Sequence, residues 1–109
     1  MRVVIAADHG GYTLKNAVVA HLRAAGHEVV DLGTHDGASC DYPPLAHDVA
    51  GRVVRGEADR GVLVCGTGQG MAIAANKVPG VRAAVVADTF SAEMAAAHND
   101  ARILCLGER

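Results

Sequence analysis

The feature that most constrains this fold is a regular alternation of short apolar runs with longer segments of helical periodicity. The runs are mostly nonpolar at consecutive positions, interrupted only by Asp31 and Arg82, and they cover residues 3–7, 29–32, 61–65, 82–87 and 103–106. A strand that is apolar on both faces must be covered on both faces, which is typical of the parallel sheets of α/β proteins. The alternation therefore predicts an α/β protein whose strands are separated by helices.

Helical spacing fills the segments between these runs. The first helix carries an apolar face and should stop at Gly26, and the second begins with Pro43 and Pro44 in its first turn and ends at Gly56. A third covers residues 71–77, and a fourth, capped by Asp88 or Thr89, extends to about residue 98. We therefore expect a single domain with a doubly wound parallel sheet of about five strands, a Rossmann-like three-layer sandwich.

Composition narrows the classes of function. Half of the 109 residues are hydrophobic but only 3% are aromatic, so the core must be built from Ala, Val, Leu and Ile. The net charge is −2 and the isoelectric point is near 6.3, so neither nucleic acid nor a membrane is an expected partner. An anionic ligand would have to be held by a local site.

The three cysteines indicate free thiols. Cys40, Cys65 and Cys105 are an odd number, lie far apart and form no C-x-x-C pair or zinc-ligand spacing. We expect no metal and no other cofactor, a reducing cytoplasmic location, and core positions for Cys40 and Cys105.

Polar residues gather around the ends of three predicted strands. The first strand is followed by Asp8 and His9, and the third by a glycine-rich loop that begins after Cys65. His98 and Asn99 precede the fifth strand, and Gly107-Glu108-Arg109 follows it. Ligands of such sheets bind beyond the carboxyl ends of the strands, so we expect these residues to meet there.

The glycine loop is typical of an anion cradle. Gly66, Gly68 and Gly70 let the backbone turn sharply and approach a ligand, and the following helix adds unpaired N–H groups. Met71 stands where a dinucleotide fingerprint needs its third glycine, and the Gly-Lys-Ser/Thr of a P-loop is absent. The loop predicts a site for a phosphate or an enolate oxygen; the alternative is a tight turn without a ligand.

Three side chains next to this loop and the first strand are candidates for proton transfer. Cys65, at a helix N-terminus, is a candidate base or nucleophile, although most free cysteines are buried core residues. Asp8 can exchange a proton with a sugar oxygen, and His9 can contact a phosphate or hydroxyl. Both also fit a simple polar turn.

In sum the chain resembles the type-B ribose-5-phosphate isomerase family, which also contains the galactose-6-phosphate isomerase subunits. The resemblance extends from residue 3 to residue 109 and rests on an ordered set of segments. These are Asp8-His9-Gly10-Gly11, Asp41-Tyr42-Pro43, Cys65-Gly66-Thr67-Gly68-Gln69-Gly70, Ala74-Ala75-Asn76-Lys77, Gly80-Val81-Arg82-Ala83 and His98-Asn99-Asp100.

The resemblance implies interconversion of ribose 5-phosphate and ribulose 5-phosphate through a cis-enediolate, in the pentose phosphate pathway and without a cofactor. It implies that Cys65 is the base and that Thr67 and the loop N–H groups stabilise the enediolate oxygens. His98 would open the sugar ring and Asp8 would move a proton. The implied ligands of the sugar and its phosphate are His9, Tyr42, Asn99 and Arg109, together with the loop glycines.

Another branch of the family uses a carboxylate just past the glycine loop, where this chain has Met71 and Ala72. The resemblance therefore implies the branch with a cysteine base. It also implies a homodimer or homotetramer with its site at the subunit interface. Family members continue beyond the position of Arg109, so we expect residues 1–109 to form one sugar-phosphate isomerase domain without the family's C-terminal helix. The alternatives are an isomerase of allose or galactose 6-phosphate and a non-catalytic module that binds a sugar phosphate.

Overall fold

Strands and helices alternate strictly along the chain. The computed structural model describes residues 1–109. Its elements are β1 (Arg2–Ala7), α1 (Tyr12–Ala24), β2 (Glu28–Asp31), α2 (Tyr42–Val54), β3 (Arg60–Cys65), α3 (Gln69–Asn76), β4 (Ala83–Val85), α4 (Thr89–Asn99) and β5 (Ile103–Gly107). No helix has the length and hydropathy that a membrane span requires.

The five strands form one parallel sheet in the order β2-β1-β3-β5-β4, which confirms the predicted doubly wound α/β fold. From β1 the chain leads through α1 to one edge of the sheet, and from β3 it leads through α3 toward the other edge. The loops after β1 and β3 therefore diverge. A crevice forms between such loops, at the carboxyl ends of the strands.

Helices cover both faces of the sheet. Val4 and Ala6 of β1 pack in a core with α2 and α3, whereas Val3 and Ile5 face α1. Alternate side chains of a strand point to opposite faces, so one apolar strand serves both layers. Helix α4 lies on the α1 side, against Leu104 and Leu106 of β5. The buried core contains no aromatic ring, as the composition predicted.

The first two helices end as their glycines predicted. Gly26 has a φ of 90°, its N–H donates to the carbonyl of Arg23, and the N–H of His27 donates to that of Leu22. Gly56 ends α2 through the equivalent pair of bonds, in which the N–H of Gly56 donates to the carbonyl of Val53 and that of Glu57 donates to the carbonyl of Arg52. This is the Schellman arrangement, which satisfies the last carbonyls of a helix. Most predicted bounds differ by one or two residues: α3 covers residues 69–76 and not 71–77, β4 covers only residues 83–85, β5 includes residue 107, and β1, β2 and β3 each begin one residue earlier than predicted.

Candidate active site

The ends of β1, β3 and β5 meet at the carboxyl edge of the sheet. The N–H of Asp8 donates to the carbonyl of Val64. On the other side of β3, the N–H of Glu108 donates to the carbonyl of Cys65, and the N–H of Arg109 donates to that of Gly66. Parallel pairing thus continues past each strand and brings the Asp8 turn, the glycine loop and Arg109 together.

The thiol of Cys65 is held at the start of α3. Its side chain is buried, and its Sγ accepts a hydrogen bond of 3.1 Å from the N–H of Gly68. Gly68 has a φ of 83°, a backbone conformation that favours glycine, and this directs its N–H at the sulfur. Such a bond is stronger when the acceptor carries negative charge. The loop therefore fixes the position of the sulfur through its backbone.

The same loop offers donors for an anion. The backbone N–H groups of Gly66, Thr67 and Gly70 donate to no protein acceptor. The hydroxyl of Thr67 accepts a bond of 3.2 Å from the N–H of Gln69, the first residue of α3. N–H groups before a helix, combined with the positive end of the helix dipole, attract negative charge. The loop can therefore bind oxyanions beside the thiol.

Asp8 and His9 line the neighbouring turn. Asp8 is 9% exposed, and its Oδ1 accepts a bond of 2.9 Å from the N–H of Gly10. A Cβ built on Gly10 would lie 3.3 Å from both this oxygen and the backbone nitrogen of Gly66. The Asp8 carboxylate therefore lies close to the glycine loop. His9 is exposed, and its Nδ1 accepts a bond of 3.2 Å from the N–H of Cys40.

Arg109 and Tyr42 lie against two of the loop glycines. A Cβ on Gly66 would lie 3.3 Å from Nε of Arg109, and one on Gly70 would lie 2.9 Å from Cζ of Tyr42. The absence of a side chain lets the guanidinium and the ring approach the loop this closely. Both residues are exposed and can contact a ligand. A planar guanidinium is suited to a phosphate because it donates two parallel hydrogen bonds.

The sequence and the fold resemble those of named proteins. Residues 3–109 match a family model described as Ribose/Galactose Isomerase. The chain belongs to the ribose/galactose isomerase family. Ribose-5-phosphate isomerase B of Escherichia coli K12 is 45% identical over 108 residues, which are 99% of this chain and 72% of the relative.

Two solved structures of family members match the fold closely. Ribose-5-phosphate isomerase B of Clostridium thermocellum is 53% identical with a TM-score of 0.98, covering 100% of this chain and 74% of that one. The enzyme of Mycoplasma genitalium, solved with bound ribulose-5-phosphate, is 44% identical with a TM-score of 0.92, covering 97% and 71%. The resemblance inferred from the motifs is confirmed.

Two of the predicted site residues, His98 and Asn99, lie at the opposite edge of the sheet from the glycine loop. Helix α4 runs from the carboxyl edge of the sheet back to its amino edge, so His98 and Asn99 lie where β5 begins. There the carbonyl of Asn99 accepts a bond of 3.2 Å from Arg82. Four residues of β5 separate this edge from the level of Cys65, which is about 13 Å. The expectation that these residues join the loop within one chain is therefore wrong: the polar residues flanking β5 lie at its two opposite ends.

The remaining cysteines differ from each other. Cys105 is buried between the sheet and α2 and α3, and this burial, with a smaller contribution from nearby Cys65, raises the pKa of its thiol to about 12. Cys105 is thus the core residue that we predicted. Cys40 is not: it is half-buried in the segment between β2 and α2, which is why its N–H can reach His9.

Three charged residues near the site, Glu108, Lys15 and Asp31, were given no role in the sequence analysis. Glu108 accepts a bond of 2.7 Å from the N–H of Leu14 and so caps α1. Lys15 is buried and paired with Asp31. Of the three, only Glu108 could have been linked to the site from the sequence, because it is next to Arg109. The pairing of Lys15 joins a helix to a strand edge and is visible only in three dimensions. No group of three or more His, Cys, Asp or Glu side chains is arranged to hold a metal ion.

Proposed function

We propose that this chain is an aldose–ketose isomerase that interconverts ribose 5-phosphate and ribulose 5-phosphate through a cis-enediolate. The observation that carries the proposal is the Cys65 thiol, held by the N–H of Gly68 within a loop where the N–H groups of Gly66, Thr67 and Gly70 are unpaired. The names of the E. coli and C. thermocellum relatives and the ligand in the M. genitalium structure support the five-carbon substrate. Membership of the family supports the reaction class.

In the proposed reaction Cys65 removes the proton from C2 of the open-chain aldose and returns it to C1. The electrons of the broken C–H bond form the enediolate, whose negative charge lies on the sugar oxygens. The hydroxyl of Thr67 and the N–H groups of Gly66 and Gly70 face that charge. Each donor of this kind contributes about 2.7–4 kcal/mol to the transition state. Asp8 carries the proton that moves between the two oxygens, because its carboxylate lies beside the loop.

The phosphate is assigned to Arg109 and His9. Arg109 lies against Gly66, and His9 is exposed in the adjacent turn. The Nδ1 of His9 accepts the N–H of Cys40, so the ring proton is on Nε2 and can be donated to a phosphate oxygen. Tyr42, over Gly70, covers the sugar.

A second copy of the chain supplies His98 and Asn99 in this proposal. Both residues are exposed at the amino edge of the sheet, remote from their own Cys65. An isologous dimer brings that edge to the carboxyl edge of its partner and completes two sites at once. We therefore propose a homodimer, or a homotetramer built from such dimers. Sedimentation equilibrium is expected to give at least the mass of two chains, and a strictly monomeric active protein would contradict this assembly.

The reaction assigns the protein to the pentose phosphate pathway, and the three free thiols fit a reducing cytoplasm. Fractionation of the source cells is expected to find it with cytoplasmic markers. Enrichment in an oxidising compartment would overturn that location.

The decisive experiment measures conversion of ribose 5-phosphate to ribulose 5-phosphate by the purified protein in the presence of EDTA. Turnover should survive the chelator, and Cys65→Ala should lower kcat by about 10²- to 10⁴-fold, as expected for loss of a general base. Cys105→Ala is the matched control because it removes a second buried thiol from the same side of the sheet. It should keep near wild-type turnover if the protein remains folded.

Three outcomes would contradict the proposal in different ways. Wild-type turnover by Cys65→Ala would exclude Cys65 as the base. Faster turnover of allose or galactose 6-phosphate would move the substrate to six carbons. Binding of ribose 5-phosphate without any turnover would indicate a non-catalytic module.

A further inference from the structure

Lys15 is a charged side chain that the proposed mechanism does not use, yet it is the largest fully buried side chain of the protein. It is 1% exposed, on the side of α1 that faces the sheet. Its Nζ donates to both carboxylate oxygens of Asp31, at 3.0 and 2.8 Å, and to the carbonyl of Thr34 at 2.8 Å. All three protons of the ammonium group therefore have an acceptor.

Packing does not require a lysine at this position. Replacing a buried ion pair with apolar side chains of similar volume is often neutral or stabilising, because desolvation of the charges offsets their attraction. Val19, one turn further along α1, meets the same face of the sheet with an ordinary apolar side chain. A requirement other than packing must therefore explain Lys15. Its three acceptors identify the segment of the chain that this requirement concerns.

The acceptors of Lys15 lie on the segment that leaves β2 and passes the candidate site. Asp31 ends β2, and its Oδ1 also accepts the N–H of Gly33. The N–H of Thr34 donates to the carbonyl of Ala7, and the N–H of Ala7 donates to the carbonyl of Gly33. Ala7 is the residue immediately before Asp8. The ammonium group thus fixes the segment against β1 at the point where β1 enters the site.

The same segment continues to two residues that touch the site. The N–H of Cys40 donates to Nδ1 of His9, and Tyr42 begins α2 with its ring against Gly70. An N–H group can only donate, so Nδ1 of His9 is the acceptor in this bond and Nε2 is the ring nitrogen left to donate. The ring orientation of His9 therefore depends on where residues 33–41 lie.

We propose that Lys15 is a positioning residue, which anchors residues 33–41 so that His9 and Tyr42 are held in the geometry that binds the substrate. The proposal rests on the proposed function for its effect on catalysis. Its effect on the His9 ring is independent of that function. Lys15 itself contacts neither the glycine loop nor any group assigned to the chemistry.

The test compares Lys15→Met, which keeps the length of the side chain and removes its three donors, with Val19→Ala on the same face of α1. Steady-state kinetics and two-dimensional ¹H–¹⁵N NMR of the imidazole nitrogens are measured for both. Lys15→Met should raise KM for ribose 5-phosphate about 10- to 100-fold, the equivalent of one lost charge-assisted contact, and leave kcat nearly unchanged. Its His9 signals should move from those of a fixed Nε2–H tautomer toward tautomer averaging.

Val19→Ala should lower the melting temperature while leaving KM and the His9 signals as in the wild type, which separates positioning from general loss of stability. Asp31→Asn serves if Lys15→Met does not fold: it weakens the same anchor and should produce the same changes to a smaller extent. Wild-type KM and an unchanged His9 tautomer in whichever variant folds would overturn the proposal. If the wild type proves inactive, the proposed function fails, and the NMR comparison alone decides the role of Lys15.

Discussion

Gly11 lies at a contact where a single methyl group would meet the backbone of another strand. A Cβ on Gly11 would be 2.6 Å from the carbonyl carbon and oxygen of Val64, and neither atom can rotate away. The contact closes the turn after β1 onto β3, which is why the Asp8 turn and the glycine loop adjoin. Glycine is thus required at position 11 because the turn after β1 approaches β3 closely, and not because of the backbone conformation at that position.

Gly11→Ala is therefore expected to destabilise the fold by about 3 kcal/mol or more, because strands β1 and β3 must separate. Gly26→Ala is the matched control: Gly26 has no atom within 4 Å of its built Cβ, but its φ is 90°. It should cost only about 1–2 kcal/mol, the penalty of a left-handed backbone. Urea denaturation of both variants measures the difference. Equal losses would show that the Gly11 contact relaxes without strain.

At the scale of single residues the sequence predicted the location of two cysteines but not of the third. Cys65 was correctly expected at the end of its strand before the glycine loop, and Cys105 inside a strand, because each follows a run of apolar residues. Cys40 was wrongly expected in the core because nothing local shows that the segment between β2 and α2 runs over the site. Burial depends on what packs from elsewhere in the chain.

At the scale of secondary-structure elements, the side chain of Asn76 makes the two hydrogen bonds that a neighbouring strand would make to β4. Its Nδ2 donates to the carbonyl of Ala83 and its Oδ1 accepts the N–H of the same residue, both at 2.9 Å. The last residue of α3 thereby pairs with the first residue of β4. This explains a motif, Ala74-Ala75-Asn76-Lys77, that the proposed chemistry does not use.

Asn76→Asp is expected to lower the free energy of unfolding by about 1–3 kcal/mol, since a carboxylate cannot donate to the Ala83 carbonyl and leaves it unpaired. Amide hydrogen exchange at Ala83 gives the local readout and should accelerate. The exposed neighbour Lys77 provides a control, because Lys77→Ala should change neither quantity. Unaltered exchange at Ala83 in Asn76→Asp would argue against the pairing.

The ion pair between α1 and β2 predicts a dependence of stability on pH. Partial burial opposes ionisation of Asp31, but hydrogen bonds from Lys15 and from the N–H of Gly33 outweigh it and hold the pKa of this carboxyl below its ordinary value. A lowered pKa means that the pair stabilises the fold above the unfolded-state pKa of about 3.9, and that this stability is lost as the pH falls through the folded-state value.

We expect Asp31→Asn to flatten the loss of stability below about pH 4, measured as the urea midpoint against pH. The exposed pair of Arg2 and Asp59 provides the comparison, since the pKa of Asp59 is also lowered by its hydrogen bonds with Arg2. Asp59→Asn should flatten the acid limb less, because exposed pairs contribute little. An identical acid limb in Asp31→Asn and wild type would refute the coupling.

Helix ends and strand centres were predictable because Gly26, Gly56 and the paired prolines act through their own backbone. The face of α1 that is buried against the sheet was not predictable. Its apolar periodicity runs through Leu14, Val18 and Leu22, but these are only half-buried, whereas Lys15 and Val19 are buried. A buried lysine is credible only once Asp31 and Thr34 are known to meet it.

For the whole molecule, the order of the strands decides which polar residues share a site. The sequence was sufficient to predict a parallel sheet and the convergence of Asp8, Cys65 and Arg109, whereas the switch between β1 and β3 is visible only in the structure. It failed for His98 because flanking a strand was taken as being near its carboxyl end. A helix of eleven residues such as α4 rises about 16 Å and returns the chain to the other edge.

The separation of His98 from Cys65 predicts complementation between two inactive variants. Cys65→Ala and His98→Asn should each abolish turnover. Mixed and allowed to exchange subunits, they should regain about one quarter of wild-type activity, because half of the dimers are mixed and each of these has one intact site. Mass spectrometry verifies the exchange. Exchange without recovered turnover would show that each chain supplies its own histidine.

Helix α4 places His98 at the edge of the sheet opposite Cys65. In the proposed dimer, catalysis therefore requires two chains to associate. The number of complete sites then follows the concentration of paired chains, which for scarce protein grows with the square of the chain concentration. A freshly synthesised chain would be inert until it met another, and doubling a small supply of the protein would more than double the flux of sugar phosphate.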